Sequence, residues 1–162
     1  MNQTHSIYPE DKTELYSLLC AQAAALLEGE TNRIACLANI SALLNLALTD
    51  INWAGFYLMQ ENELILGPFQ GKPACVHIPV GKGVCGTAAV KDEIQVVKDV
   101  HQFPGHIACD SDSASEIVVP IHCGGKVVGV LDIDSPHTAR FDETDAKFLA
   151  KIVAILEDTC FQ

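Results

Sequence analysis

Residues 117–134 constrain the fold more than any other part of the chain. They read IVVPIH, then Cys123-Gly124-Gly125-Lys126, then VVGVLDID. The two apolar, β-branched runs predict strands, and the pair of glycines between them predicts a tight hairpin turn. The chain therefore contains an antiparallel pair of strands, which argues against an all-helical fold.

Helical patterns flank this hairpin in the sequence. Apolar residues at helical spacing predict a first helix from Asp11 to about Glu28. Thr31 is the candidate cap of a second helix, and Asp142 is the candidate cap of a last one. These segments can cover a sheet.

Four further short segments complete the predicted secondary structure. Residues 51–59 and 64–66 predict a second hairpin, which ends at Gly67-Pro68. Residues 75–80 predict a further strand, and Pro79 indicates a position at a strand end or at the sheet edge. Residues 94–97 predict a short strand.

Glycines at 81, 83 and 86 predict a tight turn into a short helix over Thr87–Val90, and Asp99–Ser115 has the character of a loop. Together these elements predict an α+β fold, with helices packed on a mainly antiparallel central sheet of about six strands.

Composition narrows the functional classes. The 162 residues are 49% apolar with a mean hydropathy of +0.21, which fits one folded domain. We find no membrane-length apolar run, and the first residues lack the apolar core of a signal peptide. A net charge of −11 disfavours nucleic acid as a partner. The expected compartment is the cytoplasm, where thiols stay reduced.

Three of the seven cysteines fall in the segment between the two hairpins: Cys75, Cys85 and Cys109. Thiols beside glycine-rich or polar residues in mobile loops can alternate between dithiol and disulfide. The alternative is that each is a small buried apolar residue. We assign that structural role to the remaining four, which are Cys20, Cys36, Cys123 and Cys160.

A zinc site is a second interpretation of the same segment. The possible ligands are Cys75, His77, His101, His106 and Cys109. Their spacing matches no compact zinc-binding signature, so we favour redox chemistry and expect no metal.

Three carboxylates form the other polar group. Asp132 and Asp134 are two apart on a strand and share a face, and Glu116 falls at the same end of the hairpin. Such a group can bind an ammonium ion or donate a proton, although it can also be a solvated hairpin end. Trp53 and Tyr57 share a face of one strand, as core residues or as a pocket wall.

Five segments together resemble one enzyme family. They are NWAGFYL, LGPFQGKPACVHIPVGKGVCGTAA, DVHQFPGHIACDSDSASEIVVPI, GVLDIDSP and RFDETD. The chain is similar over these segments to the free methionine-(R)-sulfoxide reductases, which are stand-alone GAF-domain enzymes of the oxidative stress response. The resemblance implies a single GAF domain over residues 1–162.

The resemblance also implies roles for individual residues. Cys109 matches the catalytic thiol, Cys75 the resolving thiol, and Cys85 a third cysteine that can also pair with the catalytic one. Glu116, Asp132 and Asp134 match the acidic groups that contact the substrate, and Trp53 and Tyr57 match its aromatic wall.

The implied reaction is the reduction of free L-methionine-(R)-sulfoxide to methionine, with thioredoxin as the reductant and no metal or organic cofactor. Glu116, with Asp134 beside it, is the candidate proton donor, and the exposed faces of the first helices are a candidate homodimer interface. Whether Cys75 or Cys85 resolves the oxidised thiol stays open. A GAF module that senses a small ligand without chemistry is the alternative function.

Overall fold

The computed structural model describes residues 7–162. The prediction that the first twelve residues contain no signal peptide therefore lies half outside the described residues. Four helices and six strands follow one another in the order α1 Lys12–Leu27, α2 Arg33–Ala47, β1 Trp53–Gln60, β2 Glu63–Gly71, β3 His77–Pro79, α3 Gly83–Lys91, β4 Gln95–Val97, β5 Ser115–Cys123, β6 Lys126–Ser135 and α4 Glu143–Cys160. A short 3₁₀ turn at Val100–Gln102 precedes β5. None of the helices in the described range is long and apolar enough to cross a bilayer.

The six strands form one antiparallel sheet in the order β3-β2-β1-β6-β5-β4. The predicted α+β class and strand number are therefore confirmed. The hairpin β5–β6 turns at Gly124 and Gly125, whose φ angles are +58° and +76°. Glycine reaches these left-handed angles without steric cost, as the predicted tight turn requires.

Strand alternation gives the sheet two different faces. Ala54, Phe56 and Leu131 point to one face, where α1, α2 and α4 pack and form the larger core. Their neighbours in the strands, including Tyr57 and Val130, point to the opposite face, where α3 packs. Because side chains alternate along a strand, this second face also receives Trp53 of β1, Glu116 of β5, and Asp132 and Asp134 of β6.

The helix caps follow the sequence with one exception. The side chain of Asp11 accepts from the N–H of Glu14 at the start of α1, and Asp142 caps α4, as predicted. The predicted cap of α2 at Thr31 is wrong. Asn32 caps that helix because its side-chain oxygen accepts from the N–H of Ala35.

Two element boundaries also differ from the predictions. Gly67 and Pro68 do not end β2, because both lie opposite Phe56 in an irregularity of the β1–β2 register. A bulge tolerates a proline, so the strand continues to Gly71. Helix α3 begins at Gly83 and not at Thr87, so the glycine turn forms its first turn.

Candidate active site

The floor of the candidate site is the carboxylate end of the β5–β6 hairpin. Glu116 lies directly opposite Asp134 in the register, and Val118 lies opposite Asp132. Since positions two apart on a strand share a face, all three acidic side chains point to the α3 face of the sheet. The prediction that they share one end of the hairpin is confirmed.

Strand β1 supplies an aromatic wall beside this floor. Trp53 lies opposite Asp134 in the β1–β6 register, and its ring stacks on Tyr57 at 5.9 Å and on Phe69 at 5.1 Å. Gly55 lies between the two aromatic positions. A Cβ atom there would come within 2.3 Å of the Cβ of Phe69, so only glycine lets the strand approach β2 this closely.

The wall also holds residues 72–86, which include β3 and the first turn of α3 and which we call the first arm. The indole N–H of Trp53 donates to the carbonyl of Lys72 at 3.2 Å. The hydroxyl of Tyr57 donates to the carbonyl of Cys75 at 2.9 Å. The polar tips of both aromatic side chains therefore fix the backbone that carries the first cysteine.

Residues 99–114 form the second arm, which carries Cys109. Asn52, immediately before β1, anchors this arm: its Nδ2 donates to Asp110 Oδ2 and to Ser113 Oγ, both at 3.1 Å. The buried Ser113 in turn opposes the rise in the pKa of Asp134 in the floor. Sequence reasoning missed Asn52, because its partners lie about sixty residues away and nothing local indicates them.

A disulfide between Cys75 and Cys109 joins the two arms above the floor, with their Cα atoms 5.5 Å apart. Lys72 and Asp112 form an exposed ion pair between the same arms. The space enclosed by floor, wall and arms is about 40 Å³. A volume of this size holds a few water molecules.

Burial governs the protonation of the floor. Loss of solvation raises the pKa of Glu116 well above its usual value, and the neighbouring Asp132 and Asp134 raise it further. Burial likewise raises the pKa of Asp134 and of Asp132. Three carboxyl groups this close and this dry oppose one another's ionisation, so the floor retains protons to a higher pH than separate, solvated carboxyl groups would.

Cys85 lies in the first turn of α3, at the bottom of the pocket. Its side chain is buried, and its Sγ is 3.9 Å from Oε1 of Glu116. Burial raises the pKa of this thiol, and the carboxylates of Asp132 and Glu116 raise it further. Cys85 is thus a neutral thiol within the acidic floor, and it takes no part in the disulfide.

Most of the predicted site residues line this one pocket, but the possible ligands of the zinc alternative do not form a cluster. In residues 7–162 the only acidic, cysteine or histidine cluster with metal-binding spacing is Cys85 with Glu116 and Asp132. His77 pairs with Glu63 instead, and His101 pairs with Asp99. The cysteines assigned a structural role are absent from the lining of the pocket in the described residues: Cys20, Cys36, Cys123 and Cys160.

A sequence profile places this architecture among known domains. The profile of the GAF domain matches residues 13–157. A curated Escherichia coli protein named free methionine-R-sulfoxide reductase is 56% identical over 147 residues, which is 91% of this chain and 89% of the relative. The chain therefore belongs to the GAF domain family, in the group of relatives named free methionine-R-sulfoxide reductase.

Solved structures agree with this placement. A structure of fRMsr of Staphylococcus aureus in its reduced form superposes with a TM-score of 0.87 at 63% identity, covering 89% of this chain and 94% of that one. A Neisseria meningitidis free methionine-R-sulfoxide reductase, solved in complex with its substrate, superposes with a TM-score of 0.92 at 46% identity. That superposition covers 98% of this chain and 95% of the other.

Proposed function

We propose that this protein reduces free L-methionine-(R)-sulfoxide to L-methionine. The observation that carries the proposal is the pair Cys75 and Cys109, joined as a disulfide above a floor of buried acids. A thiol pair supplies two electrons, and an acid supplies the proton that the reduction of a sulfoxide needs. The identity to relatives with this name supports the substrate.

Each end of the substrate has a matching part of the pocket. The α-ammonium group pairs with the carboxylates of the floor, which favours a free amino acid because a peptide-bound residue lacks that charge. Trp53 and Tyr57 offer flat apolar surface to the methyl and thioether groups. The N–H groups at the start of α3, from Gly83 to Cys85, are our candidate site for the α-carboxylate.

The first chemical step takes place at Cys109. Its thiolate attacks the sulfoxide sulfur while a carboxyl group protonates the oxygen, and Glu116 is the candidate donor because its pKa is raised and Asp134 lies beside it. The oxygen passes to Cys109, which becomes a sulfenic acid, and methionine is released.

The second step forms the observed bond. The thiol of Cys75 attacks the sulfenic sulfur of Cys109, water leaves with the oxygen, and a disulfide results. The structure supports Cys75 as the resolving thiol, since Cys85 lies deeper and stays free. We expect thioredoxin to reduce the disulfide by thiol–disulfide exchange, which fits the expected location in the cytoplasm.

A homodimer is the expected assembly. Leu18 and Leu26 are exposed on α1, beside a shallow apolar groove that Ala25 and Leu43 line. A second copy of the chain could cover this surface. Sedimentation velocity at several concentrations tests the assembly, and a monomer at every concentration would contradict it.

The competing function is a GAF module that binds a small ligand without chemistry. A coupled assay with methionine-(R)-sulfoxide, thioredoxin, thioredoxin reductase and NADPH separates the two. We expect NADPH consumption with the R epimer only. No consumption with the R, S and peptide-bound sulfoxides would favour the binding module.

A further inference from the structure

The floor contains a group of atoms that the proposed reaction does not fully use. The thiol of Cys85 and one carboxylate oxygen each from Glu116 and Asp132 all lie within 4.8 Å of one another. All three side chains are more than nine-tenths buried, with exposed fractions of 4%, 7% and 5%. One sulfur and two oxygens therefore converge on a small volume at the bottom of the pocket.

Two oxygen atoms of the floor are buried without a protein partner. Oδ1 of Asp132 and Oδ1 of Asp134 accept no hydrogen bond from any described residue. Among the described residues that line the pocket, none is a lysine or an arginine. Because a buried carboxylate is costly unless it is paired, these oxygens indicate that the floor binds a cation.

The sulfur of Cys85 indicates which cation other than an ammonium group the site can bind. An ammonium ion gains little from a neutral thiol, which is a weak acceptor. Magnesium and calcium prefer oxygen ligands only. Zinc accepts one sulfur at about 2.3 Å and oxygens at about 2.0–2.2 Å, which requires ligand atoms roughly 3.5 Å apart. The observed 3.9 Å between Cys85 Sγ and Glu116 Oε1 is close to that spacing.

We propose that Cys85, Glu116 and Asp132 bind a zinc ion at the site where the substrate ammonium binds, so that zinc and substrate exclude each other. The exclusion rests on the proposed function, whereas the metal site does not. On binding, Cys85 loses its thiol proton, and any proton that Glu116 or Asp132 holds is released with it to the solvent, so that a thiolate and two carboxylates bond the metal.

Cobalt(II) is a suitable probe because a thiolate-bound cobalt ion in a tetrahedral site absorbs in the near-ultraviolet and visible range, whereas zinc is spectroscopically silent. The double substitution Cys75→Ser/Cys109→Ser leaves Cys85 as the sole cysteine lining the pocket in the described residues. We expect this variant to show the cobalt–thiolate bands and to lose them on addition of one equivalent of zinc.

Matched variants locate the ligand. Adding Cys85→Ser to the double variant should abolish the bands, whereas adding Cys123→Ser should leave them unchanged. Bands that persist without Cys85, or that never form in the double variant, would overturn the proposal. Circular dichroism verifies that each variant is folded, and reduced wild-type protein under argon repeats the titration with the native thiols.

Free methionine tests the shared site without any turnover. Methionine should displace cobalt from the double variant, and Glu116→Gln should weaken cobalt binding by about tenfold or more. Cobalt bands that saturating methionine leaves unchanged would overturn the exclusion. A wild-type protein that binds cobalt through Cys85 but reduces no sulfoxide would instead contradict the proposed function alone.

Discussion

Glu116 lies where a carboxyl group is costly. It is buried, it faces Asp134 across the hairpin, and it has Asp132 as a further acidic neighbour. An ionised carboxylate without a cation in such a place costs several kcal/mol. The protein keeps it nonetheless, which is expected where a proton must be held for transfer to a substrate.

This position predicts a pH-dependent stability. The folded-state pKa of Glu116 is raised, so the folded state binds more protons than the unfolded state above the usual glutamate pKa. Stability is therefore greatest below that pKa and falls as the pH rises through the folded-state value. We expect Glu116→Gln to melt at a higher temperature than wild type near about pH 8, with a smaller difference near about pH 4.

The activity of Glu116→Gln should fall, although its melting temperature should rise. Glu116→Gln removes the candidate proton donor, so kcat should fall on the order of 10²-fold or more. The exposed Glu93→Gln is the matched control for both measurements. Equal melting temperatures of Glu116→Gln and wild type across the pH range would contradict the account of the floor.

Asn52 is predicted to position the catalytic thiol. Because its amide holds Asp110 and Ser113 of the second arm, Asn52→Ala should let Cys109 move away from the substrate. A misplacement of about 1 Å costs on the order of 10²-fold in rate. We expect kcat to fall with little change in KM, and Cys75–Cys109 disulfide formation after one turnover to slow. The control is Asn62→Ala in the exposed β1–β2 turn, and an equal loss there would exclude a positioning role.

The two arms meet through the Cys75–Cys109 disulfide, through the exposed ion pair of Lys72 with Asp112, and where Ile107 lies against Gly83. Cys109→Ser should abolish reduction, because it removes the thiol that is proposed to attack the sulfoxide sulfur. Cys75→Ser should release about one methionine per protein and then stop, since the first step needs one thiol only. Amino-acid analysis after mixing measures both, with Cys123→Ser as the control. Continuous thioredoxin-supported turnover by Cys75→Ser would assign the resolving role to Cys85.

The arms should also control access to the pocket. With the disulfide formed, the space between floor, wall and arms is only about 40 Å³, so we expect the joined arms to hinder the entry of methionine. Isothermal titration calorimetry should therefore detect methionine binding to the reduced protein and at least about tenfold weaker binding to the oxidised one. Equal affinity of the two forms would show that the pocket opens without breaking the disulfide.

At the scale of secondary-structure elements, the sequence predicted the regular pairing of strands better than it predicted bulges and loop contacts. The hairpin β5–β6 and the shared end of its carboxylates follow from local alternation and from two glycines, so both were predictable. The continuation of β2 past Gly67-Pro68 depends on a bulge opposite Phe56, which only the partner strand reveals. The link from Asn52 to Ser113 spans 61 positions and has no local signature.

In the whole molecule, one face of the sheet supports stability and the other carries the candidate active site. One face carries the larger apolar core under α1, α2 and α4, and the other carries the pocket under α3 and the arms. The wall, the floor and the cysteines come from segments that lie up to about eighty residues apart, and the sheet register brings them together. The fold thereby supports a costly acidic floor that a smaller core could not stabilise.

A single-turnover experiment tests the proposed activity most directly. Protein that has been reduced and freed of reductant is mixed with free methionine-(R)-sulfoxide, and methionine and free thiols are then counted. We predict about one methionine per protein, the loss of two thiols and a Cys75–Cys109 disulfide in the peptide map. The S epimer should give neither methionine nor the disulfide. No methionine and no loss of thiols with the R epimer would contradict the account.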